Sequence, residues 1–367
     1  MPSRPSRPRL EDVASRAGVS TASVSLVLRG QPGPSASTRE SVLDAARELG
    51  YRPDRTASLL ARRRTKLLGV TMDVSSAFHA ELLEDIQAAA DERGYDIVIS
   101  PLTRTRDERR AVESLLDFRC EALLLLGPTL TDPELAALAM DHHVVAIGRR
   151  AAAAGVDVVR AADDAGVALA VAHLVDLGHR SIAFVDGPRG PISALRRRGY
   201  RSAVRRLVGG DAVLVVPGGS TEDAGGDAAR RVLSTETGER PTALVAFNDR
   251  AALGVLDRLR REGVEVPGGM SVVGYDDSPI ARLATVDLTS VSQAPEAMAV
   301  AAVQAATERL DSGRTQAVDV VLDPHLVVRG TTGPPAHPRV DVFPRAGARG
   351  NTSTGEVPST VRQPPGL

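Results

Sequence analysis

Short apolar runs alternate with amphipathic segments from Leu67 onward, and this rhythm constrains the fold more than any other feature of the chain. Runs of about four to eight apolar residues are typical of buried strands, whereas apolar residues three and four positions apart are typical of helices. Strands separated by helices pair in parallel through right-handed crossovers. The rhythm begins again after Asp163, so the sequence predicts two Rossmann-like α/β lobes with a ligand cleft between them. The predicted strands are 67–72, 95–100, 122–126, 144–147, 182–185, 213–216, 243–247 and 271–275, and the predicted helices are 79–93, 106–118, 132–141, 164–177, 194–207, 222–234 and 249–262.

The first fifty residues lack this alternation and predict short helices instead. Gly18 separates two segments with helical spacing, and the Ser20 side chain is suited to cap the second of them. Two short helices joined by a tight glycine-containing turn are typical of a helix-turn-helix, whose second helix enters the DNA major groove. An ordinary helical hairpin is the alternative for these residues alone. The apolar stripes are Leu10, Val13 and Ala14 in the first helix and Val24, Val27 and Leu28 in the second.

A third helix completes a small headpiece. We expect it to start with Ser37 as its cap and Glu40 as the acidic member of a capping box. Gly50 ends the pattern, and we expect Tyr51 to close the core of the headpiece. The inner face of this helix is predicted to consist of Val42, Leu43, Ala46 and Leu49.

The segment that follows, 53–66, has two interpretations. It is either a basic linker or a hinge that becomes helical only when two copies pair on DNA, because so short a helix is unstable alone. We expect both ends of the chain to be disordered, since they are rich in Pro, Gly, Arg, Ser or Thr. The predicted divisions are 1–9 (disordered), 10–52 (all-α headpiece), 53–66 (hinge), 67–332 (α/β core) and 333–367 (disordered), with a first lobe at about 67–162 and 291–317 and a second lobe at about 163–290 and 318–332.

The net charge of −1 conceals two oppositely charged regions. Residues 1–66 carry 13 Arg and Lys against 6 Asp and Glu, a net charge of +7, and the remainder carries −8. A basic N-terminal region indicates that this end meets a polyanion. Cys120, the single cysteine, excludes an internal disulfide and suits a reducing cytoplasm. No segment has the pattern of a secretory signal or a membrane-spanning helix.

Polar residues end several of the predicted core strands. Ligands of parallel α/β sheets bind beyond the carboxyl ends of the strands. Carboxylates and an arginine that converge on one cleft suit a small polyhydroxylated or charged ligand. A helix cap or a loop salt bridge is the alternative for each stretch. The stretches are 194–200, 246–249 and 274–277.

An enzyme and a secreted sugar-binding protein are the competing classes. The sequence has none of the dinucleotide-binding, phosphate-loop, nucleophile-elbow or zinc-protease motifs. His173 and His179 have the pattern of structural residues. A secreted binding protein would share the core, but it needs an export signal and has no use for a basic headpiece. We therefore expect no catalytic residues, no cofactor and no metal site.

Six motifs follow one another along the chain: Asp12-Val-Ala-x-x-Ala-Gly-Val-Ser-x-x-x-Val-Ser, Pro53-Asp-Arg-Thr-Ala-x-x-Leu-Ala, His173-Leu-x-x-Leu-Gly-His-Arg, Arg196-x-x-Gly-Tyr, Asn248-Asp-x-x-Ala-x-Gly and Ser271-Val-Val-Gly-Tyr-Asp-Asp. Together they resemble the LacI family of bacterial transcriptional repressors, over about residues 9–332. The resemblance implies a cytoplasmic, nucleoid-associated homodimer with a core similar to periplasmic binding proteins. It also implies that a small effector changes the closure of the lobes, orders or disorders the hinge and so sets the affinity for operator DNA.

The resemblance implies a set of DNA contacts. Thr21, Ala22 and Leu26 would face base edges, and Leu60 would insert into the minor groove and kink the duplex. Many relatives have arginine at the position of Leu26, where it reads guanine through two hydrogen bonds. Leucine instead offers contact to a thymine methyl group, so we expect readout to depend on Thr21, apolar contact and the kink. Phosphate contacts are implied for Ser20, Ser25, Arg29 and Thr38, with Arg55 near the hinge leucine.

The resemblance likewise implies an effector site. Arg196, Asn248 and Asp276 match effector-binding positions, and hydroxyl pairs of a sugar or polyol suit these groups. Ser220 occupies a position where sugar-binding relatives often have an aromatic residue, and Phe247 stands where a small or polar residue is usual. A sugar or polyol is therefore the first expectation, and a nucleobase or another small metabolite is the alternative. The remaining predicted site residues are Phe78 and His79, after the first strand, and Asp164, at the start of the second lobe.

Overall fold

The structure is a computed structural model that describes residues 8–28, 30–51 and 64–336. Three helices, α1 (Leu10–Ala17), α2 (Thr21–Leu28) and α3 (Ala36–Glu48), form the headpiece. Gly18 ends α1 at φ +68°, a backbone conformation that favours glycine. The Oγ atom of Ser20 accepts a hydrogen bond from the backbone N–H of Ser23 at 3.2 Å. The helix-turn-helix and the cap at Ser20 are therefore confirmed.

Small aliphatic side chains fill the core of the headpiece, and Tyr51 packs against it as expected. Two predictions about α3 were wrong. Its cap is Ser35, whose Oγ accepts from the backbone N–H of Thr38, because the helix already includes Ser37. Leu43 is 41% exposed, since it lies outside the i, i+3, i+4, i+7 stripe that packs inward. That stripe consists of Val42, Ala45, Ala46 and Leu49.

The first lobe of the core is a six-stranded parallel sheet with helices on both faces. Its strand order is β11-β5-β4-β3-β1-β2, and its inner strands are almost completely buried, as expected for a sheet covered on both sides. Its elements are β1 (Leu67–Asp73), α4 (Ala77–Glu92), β2 (Asp96–Leu102), α5 (Glu108–Asp117), β3 (Ala122–Leu126), α6 (Asp132–Asp141), β4 (His143–Ile147), β5 (Asp157–Ala161), α11 (Pro295–Asp311) and β11 (Asp319–Leu322).

The second lobe repeats this architecture. Its strand order is β12-β10-β9-β8-β6-β7, and all neighbours are parallel except β10 and β12. The two sheets confirm the prediction of a pair of Rossmann-like lobes. The elements of this lobe are α7 (Asp163–Asp176), β6 (Ile182–Val185), α8 (Pro191–Leu207), β7 (Leu214–Val216), α9 (Glu222–Leu233), β8 (Ala243–Ala246), α10 (Asp249–Arg261), β9 (Ser271–Asp276), β10 (Thr289–Ser292) and β12 (His325–Val327).

The chain passes between the lobes three times, after β5, after β10 and after β11. The sequence placed 318–332 in the second lobe, but β11 pairs with β5 of the first lobe. The buried carboxylate of Asp157 explains this pairing. It binds the side chains of Arg309 and Arg314 and accepts the backbone N–H of Val318 at 2.9 Å. The chain therefore stays on the first lobe until β11 ends.

The described core continues past residue 332, the last residue that the sequence assigned to it. The carbonyl of Gly333 accepts from the imidazole of His179 at 2.8 Å, and its N–H donates to the hydroxyl of Ser271 at 3.1 Å. These bonds attach residue 333 to the second lobe, so the prediction of disorder from 333 was wrong at that residue. Residues 337–367 lie outside the described part of the chain.

Candidate functional site between the lobes

A cavity of about 320 Å³ lies between the two lobes. Its walls come from the carboxyl ends of β1, β3 and β4 in one lobe and of β8 and β9 in the other, with the first turns of α4 and α8. This is where parallel α/β sheets bind ligands. Seven of the eight predicted effector-site residues line the cavity: Phe78, His79, Arg196, Ser220, Phe247, Asn248 and Asp276.

Arg196 forms the floor of the cavity on the side of the second lobe, and its side chain is almost fully buried. Its Nε donates to Asp163 at 2.8 Å, and its Nη1 donates to the carbonyl of Phe247 at 2.6 Å. The guanidinium carbon lies 3.6 Å from the centre of the Tyr275 ring. Burial opposes the charge of Arg196, but the surrounding Asp163, Tyr275 and Asp276 together outweigh it, so the pKa of Arg196 is raised. The guanidinium is therefore a fixed, charged donor.

Asp276 faces the cavity from the end of β9. Its backbone has φ +114°, which is rare for a residue with a side chain, and Gln293 Nε2 donates to its Oδ1 at 2.7 Å. The same oxygen lies 3.8 Å from Nη2 of Arg196. Burial raises the pKa of the Asp276 carboxyl, although the neighbouring guanidinium opposes this shift. Strained backbone of this kind is concentrated at ligand sites.

Asn248 both caps a helix and lines the cavity. Its Oδ1 accepts from the backbone N–H of Ala251 at 2.9 Å, which caps α10, and its Nδ2 donates to the carbonyl of Ser220 at 3.2 Å. The alternative interpretation of the stretch 246–249 as a helix cap therefore describes part of the role of Asn248. One amide proton and one lone pair remain for a ligand.

Two phenylalanines supply the aromatic surface. Phe78 is 7% exposed and Phe247 is 8% exposed. The Phe247 ring also packs against Gly187, where a Cβ atom would come within 2.3 Å of it, and against Arg196 at 4.8 Å. Phe247 is therefore largely occupied by protein contacts.

His79 contributes a neutral imidazole. Its Nδ1 accepts from the backbone N–H of Asp73 at 3.1 Å, so the ring proton is assigned to Nε2. Burial lowers the pKa of His79 to about 4, and the Asp73 carboxylate opposes this shift only in part. His79 therefore acts as a hydrogen-bond donor beside Gly127 and not as a cation.

Asp164 does not line the cavity, so the structure does not bring it together with the other predicted effector-site residues. Its side chain is 42% exposed and forms a 2.7 Å ion pair with Arg198 on the outer surface. The neighbouring Asp163 faces inward and holds Arg196. The sequence alone does not fix the rotation of α7 about its axis, and a difference of one residue turns a side chain by about 100°.

Several residues of the cavity wall were missed. Arg149 stands two residues after the end of β4, Gln293 lies where the chain returns to the first lobe, and Asp73 ends β1. Arg149 and Asp73 follow apolar strands, so the rule that polar strand ends form the cleft would have found both. Gln293 directly follows β10, which the sequence did not predict as a strand.

Two contacts join the lobes across the cavity mouth. Arg250 of the second lobe is held by Glu222 and donates to the hydroxyl of Ser75 in the first lobe at 3.0 Å. Arg282 of the second lobe pairs with Glu81 of the first at 2.6 Å. These contacts hold the two walls together in the present arrangement.

The predicted DNA-contact residues of the headpiece cluster near the start of α2. Thr21 and Ala22 are exposed on its first turn, and Leu26 is half-buried. The predicted phosphate contacts Ser20, Ser25 and Thr38 all belong to the described headpiece, and the Thr38 hydroxyl lies 2.9 Å from that of Ser35. The predictions for Arg29, Arg55 and Leu60 lie outside the described residues.

A helix-turn-helix headpiece joined to a two-lobed core with a cavity at the strand ends defines a DNA-binding regulator with a ligand-binding core. The sequence matches the family model "Bacterial regulatory proteins, lacI family" over residues 9–54 and the "Periplasmic binding protein-like domain" over 171–332. Within the described residues, no helix is long and apolar enough to cross a membrane.

Three known proteins illustrate the similarity. The regulator CelR of Thermobifida fusca is 33% identical over 88% of this chain and 98% of its own, and a solved CelR–cellobiose complex matches with a TM-score of 0.62, 30% identity and coverage of 89% and 100%. A LacI transcriptional regulator from Rhodococcus matches with a TM-score of 0.71, 47% identity and coverage of 73% and 98%. The Lac repressor dimer bound to operator matches with a TM-score of 0.75, 28% identity and coverage of 89% and 99%.

The chain belongs to the LacI family. It is a DNA-binding transcriptional regulator with a helix-turn-helix headpiece and a periplasmic-binding-protein-like, effector-binding core.

Proposed function

We propose that this chain is a cytoplasmic transcriptional repressor, active as a homodimer, whose affinity for operator DNA is set by a small effector bound between the core lobes. The observation that carries the proposal is the cavity itself. It places the buried guanidinium of Arg196 and the carboxyl of Asp276 at the junction of the two lobes. The same chain carries a DNA-binding headpiece.

A sugar or polyol is the effector class that these groups favour. Arg196 and His79 donate hydrogen bonds, and Asp276 and Asn248 offer acceptors, so vicinal hydroxyl groups of a small ring have partners on both walls. The cellobiose bound in the CelR complex supports this class. A nucleobase is less favoured, because the Phe247 ring already packs against protein groups.

Control of DNA binding follows from the position of the cavity. A ligand that contacts both walls favours the arrangement in which Arg282 meets Glu81 and Arg250 meets Ser75. A ligand shifts such an equilibrium only by its difference in affinity for the two arrangements. The first lobe begins directly after the 53–66 segment, so a movement of this lobe would change the position of the headpiece on DNA. The Lac repressor dimer on operator supports this use of the fold.

Thermal-shift screening of the purified chain against sugars, polyols, nucleobases and other metabolites tests the effector assignment. We expect a sugar or polyol to raise the melting temperature without being turned over. Arg196→Ala should abolish the shift, whereas Arg198→Ala, on the same helix but exposed, should preserve it. A full shift in Arg196→Ala would overturn the site, and turnover of the ligand would indicate an enzyme.

A further inference from the structure

The solvent-facing side of α8 in the second lobe is rich in arginine. Five of the seven residues on this side are arginines, and the whole 17-residue helix contains no Asp or Glu. The distance along the helix from the first to the last of these arginines is about 14 Å, since each residue adds 1.5 Å. This arginine face consists of Ala194, Arg197, Arg198, Arg201, Ser202, Arg205 and Arg206.

Ion pairs neutralise only part of the charge of the arginine face. Arg197 pairs with Asp186, and Arg198 pairs with Asp164 at 2.7 Å. The other three arginines are exposed and form no ion pair within the part of the chain that the structure describes. The face therefore keeps three positive charges without a carboxylate partner there. These three residues are Arg201, Arg205 and Arg206.

The spacing of the arginines opposes the stability of the helix. Arg201 lies four residues after Arg197 and four residues before Arg205, and like charges at this spacing destabilise a helix. The neighbouring surface helix α10 is built differently, since its Arg261 pairs with Asp257 of the same helix at 2.9 Å. The carboxylates that α8 lacks are the groups that an acidic partner would supply.

A shallow groove between α7 and α8 lies beside the arginine face. The two helices approach closely because residue 199 is glycine: a Cβ atom there would lie 2.3 Å from the carbonyl oxygen of Asp164. Arg198, Ser202 and Arg206 belong to both the groove and the arginine face. The groove therefore offers apolar contact directly next to the unpaired charges. Its small residues are Ala165, Ala168, Gly199 and Ala203.

We propose that the arginine face and this groove form a docking site for an acidic helical segment of another protein. Carboxylates four residues apart on such a helix are about 6 Å apart and match arginines of the same spacing. Small apolar side chains of the segment fill the groove, as in other helix-in-groove complexes. A single small anion fits less well, because these arginines are spread along an exposed helix. A DNA duplex also fits less well, because its phosphates extend far beyond 14 Å. This interaction goes beyond the proposed function and does not depend on the effector.

Peptide display on the full chain tests the docking site. A pool of random 16-residue peptides is first depleted on the immobilised variant Arg201→Glu/Arg205→Glu/Arg206→Glu (the α8 variant), which removes peptides that bind the basic headpiece. The remaining pool is selected on the unmodified chain. We expect enrichment of sequences with Asp or Glu at positions i and i+4. In isothermal titration, these peptides should bind the α8 variant about tenfold or more weakly, because three charges are reversed.

A second charge-reversed variant is the matched control. Arg104, Arg110 and Arg150 are exposed on the first lobe, so Arg104→Glu/Arg110→Glu/Arg150→Glu changes the net charge by the same amount. This control variant should bind the selected peptides like the unmodified chain. Circular dichroism verifies that both variants are folded, and Arg201→Gln/Arg205→Gln replaces the α8 variant if it is not.

Four results would overturn the docking site. The first is a selected pool without enrichment of acidic sequences, and the second is equal binding of the selected peptides to the unmodified chain and the α8 variant. The third is an equal loss of binding in the control variant, which would show a general effect of net charge. The fourth is a role of the arginine face in another contact. A tenfold loss of affinity for a non-specific DNA duplex in the α8 variant alone would assign the face to nucleic acid. Larger assemblies in sedimentation velocity that disappear in the α8 variant would assign it to a second copy of this chain.

Discussion

Asp163 and Asp164 are adjacent in sequence but differ in environment, and this pair gives the sharpest test of the site geometry. Asp163 is fully buried, and its Oδ1 lies 2.8 Å from Nε of the buried Arg196. Asp164 pairs with Arg198 at the surface, where both side chains are exposed. Both residues are on the first turn of α7, so replacing either with alanine perturbs the helix to a similar extent.

The expected magnitudes differ severalfold. Removing one partner of a buried ion pair costs about 3–5 kcal/mol. The lower end applies to Asp163→Ala, because Arg196 keeps the Phe247 carbonyl and the Tyr275 ring as neighbours. An exposed ion pair contributes about 0.2–1 kcal/mol, so Asp164→Ala should be nearly neutral.

Thermal unfolding of the purified chain, followed by circular dichroism, measures the difference. A loss of about 3 kcal/mol lowers the melting temperature of a unit of 150–250 residues by roughly 6–12 °C. We expect that decrease for Asp163→Ala and at most about 4 °C for Asp164→Ala. Equal decreases in the two variants would refute the assignment of Asp163 as the buried partner of Arg196.

Three further predictions concern pH, lobe closure and DNA binding. Because burial lowers the pKa of His79 to about 4 from its ordinary value of 6.5, the unfolded chain binds this proton between pH 6.5 and 4 and the folded chain does not. The free energy of unfolding should therefore decrease by up to about 3 kcal/mol as the pH is lowered from 6.5 to 4. Urea titrations should show a smaller decrease for His79→Gln, and an identical pH profile for the two proteins would contradict the assignment. Arg282→Ala removes the 2.6 Å pair with Glu81 and should weaken effector binding in calorimetry by about two- to fivefold, whereas unchanged affinity would show that the pair does not favour the bound arrangement. Leu60→Ala should weaken operator binding in a gel-shift titration, and unaltered affinity would contradict the insertion of the hinge leucine into the minor groove.

The alternation of strands and helices was sufficient to predict the two lobes, because buried parallel strands have uninterrupted apolar sequences. The short edge strand β11 escaped detection for a physical reason. Its residues are half-exposed, and its partner is selected by Asp157, which lies more than 150 residues away in sequence. The lobe to which β11 belongs could therefore not be predicted from the local sequence pattern.

The candidate site was predicted to the extent that its residues lie in recognisable motifs. Arg196 and Asp276 lie at motif positions, and the structure brings them to one cavity. The choice between Asp163 and Asp164 depends on how α7 packs against α8, where Gly199 leaves room for the backbone of Asp164. Arg149 stands after a strand end without a motif, so only the three-dimensional arrangement shows that Leu130 and Asp132 hold its guanidinium in the cavity wall.

The central claim is that occupancy of the inter-lobe cavity controls DNA affinity. Its most direct test is a gel-shift titration with DNA that the purified chain selects from a random pool, with and without the compound that gives the largest thermal shift. We predict a change in the Kd for DNA of about tenfold or more that is absent in Arg196→Ala. Stabilisation of the chain by that compound with no change in DNA affinity would contradict the account.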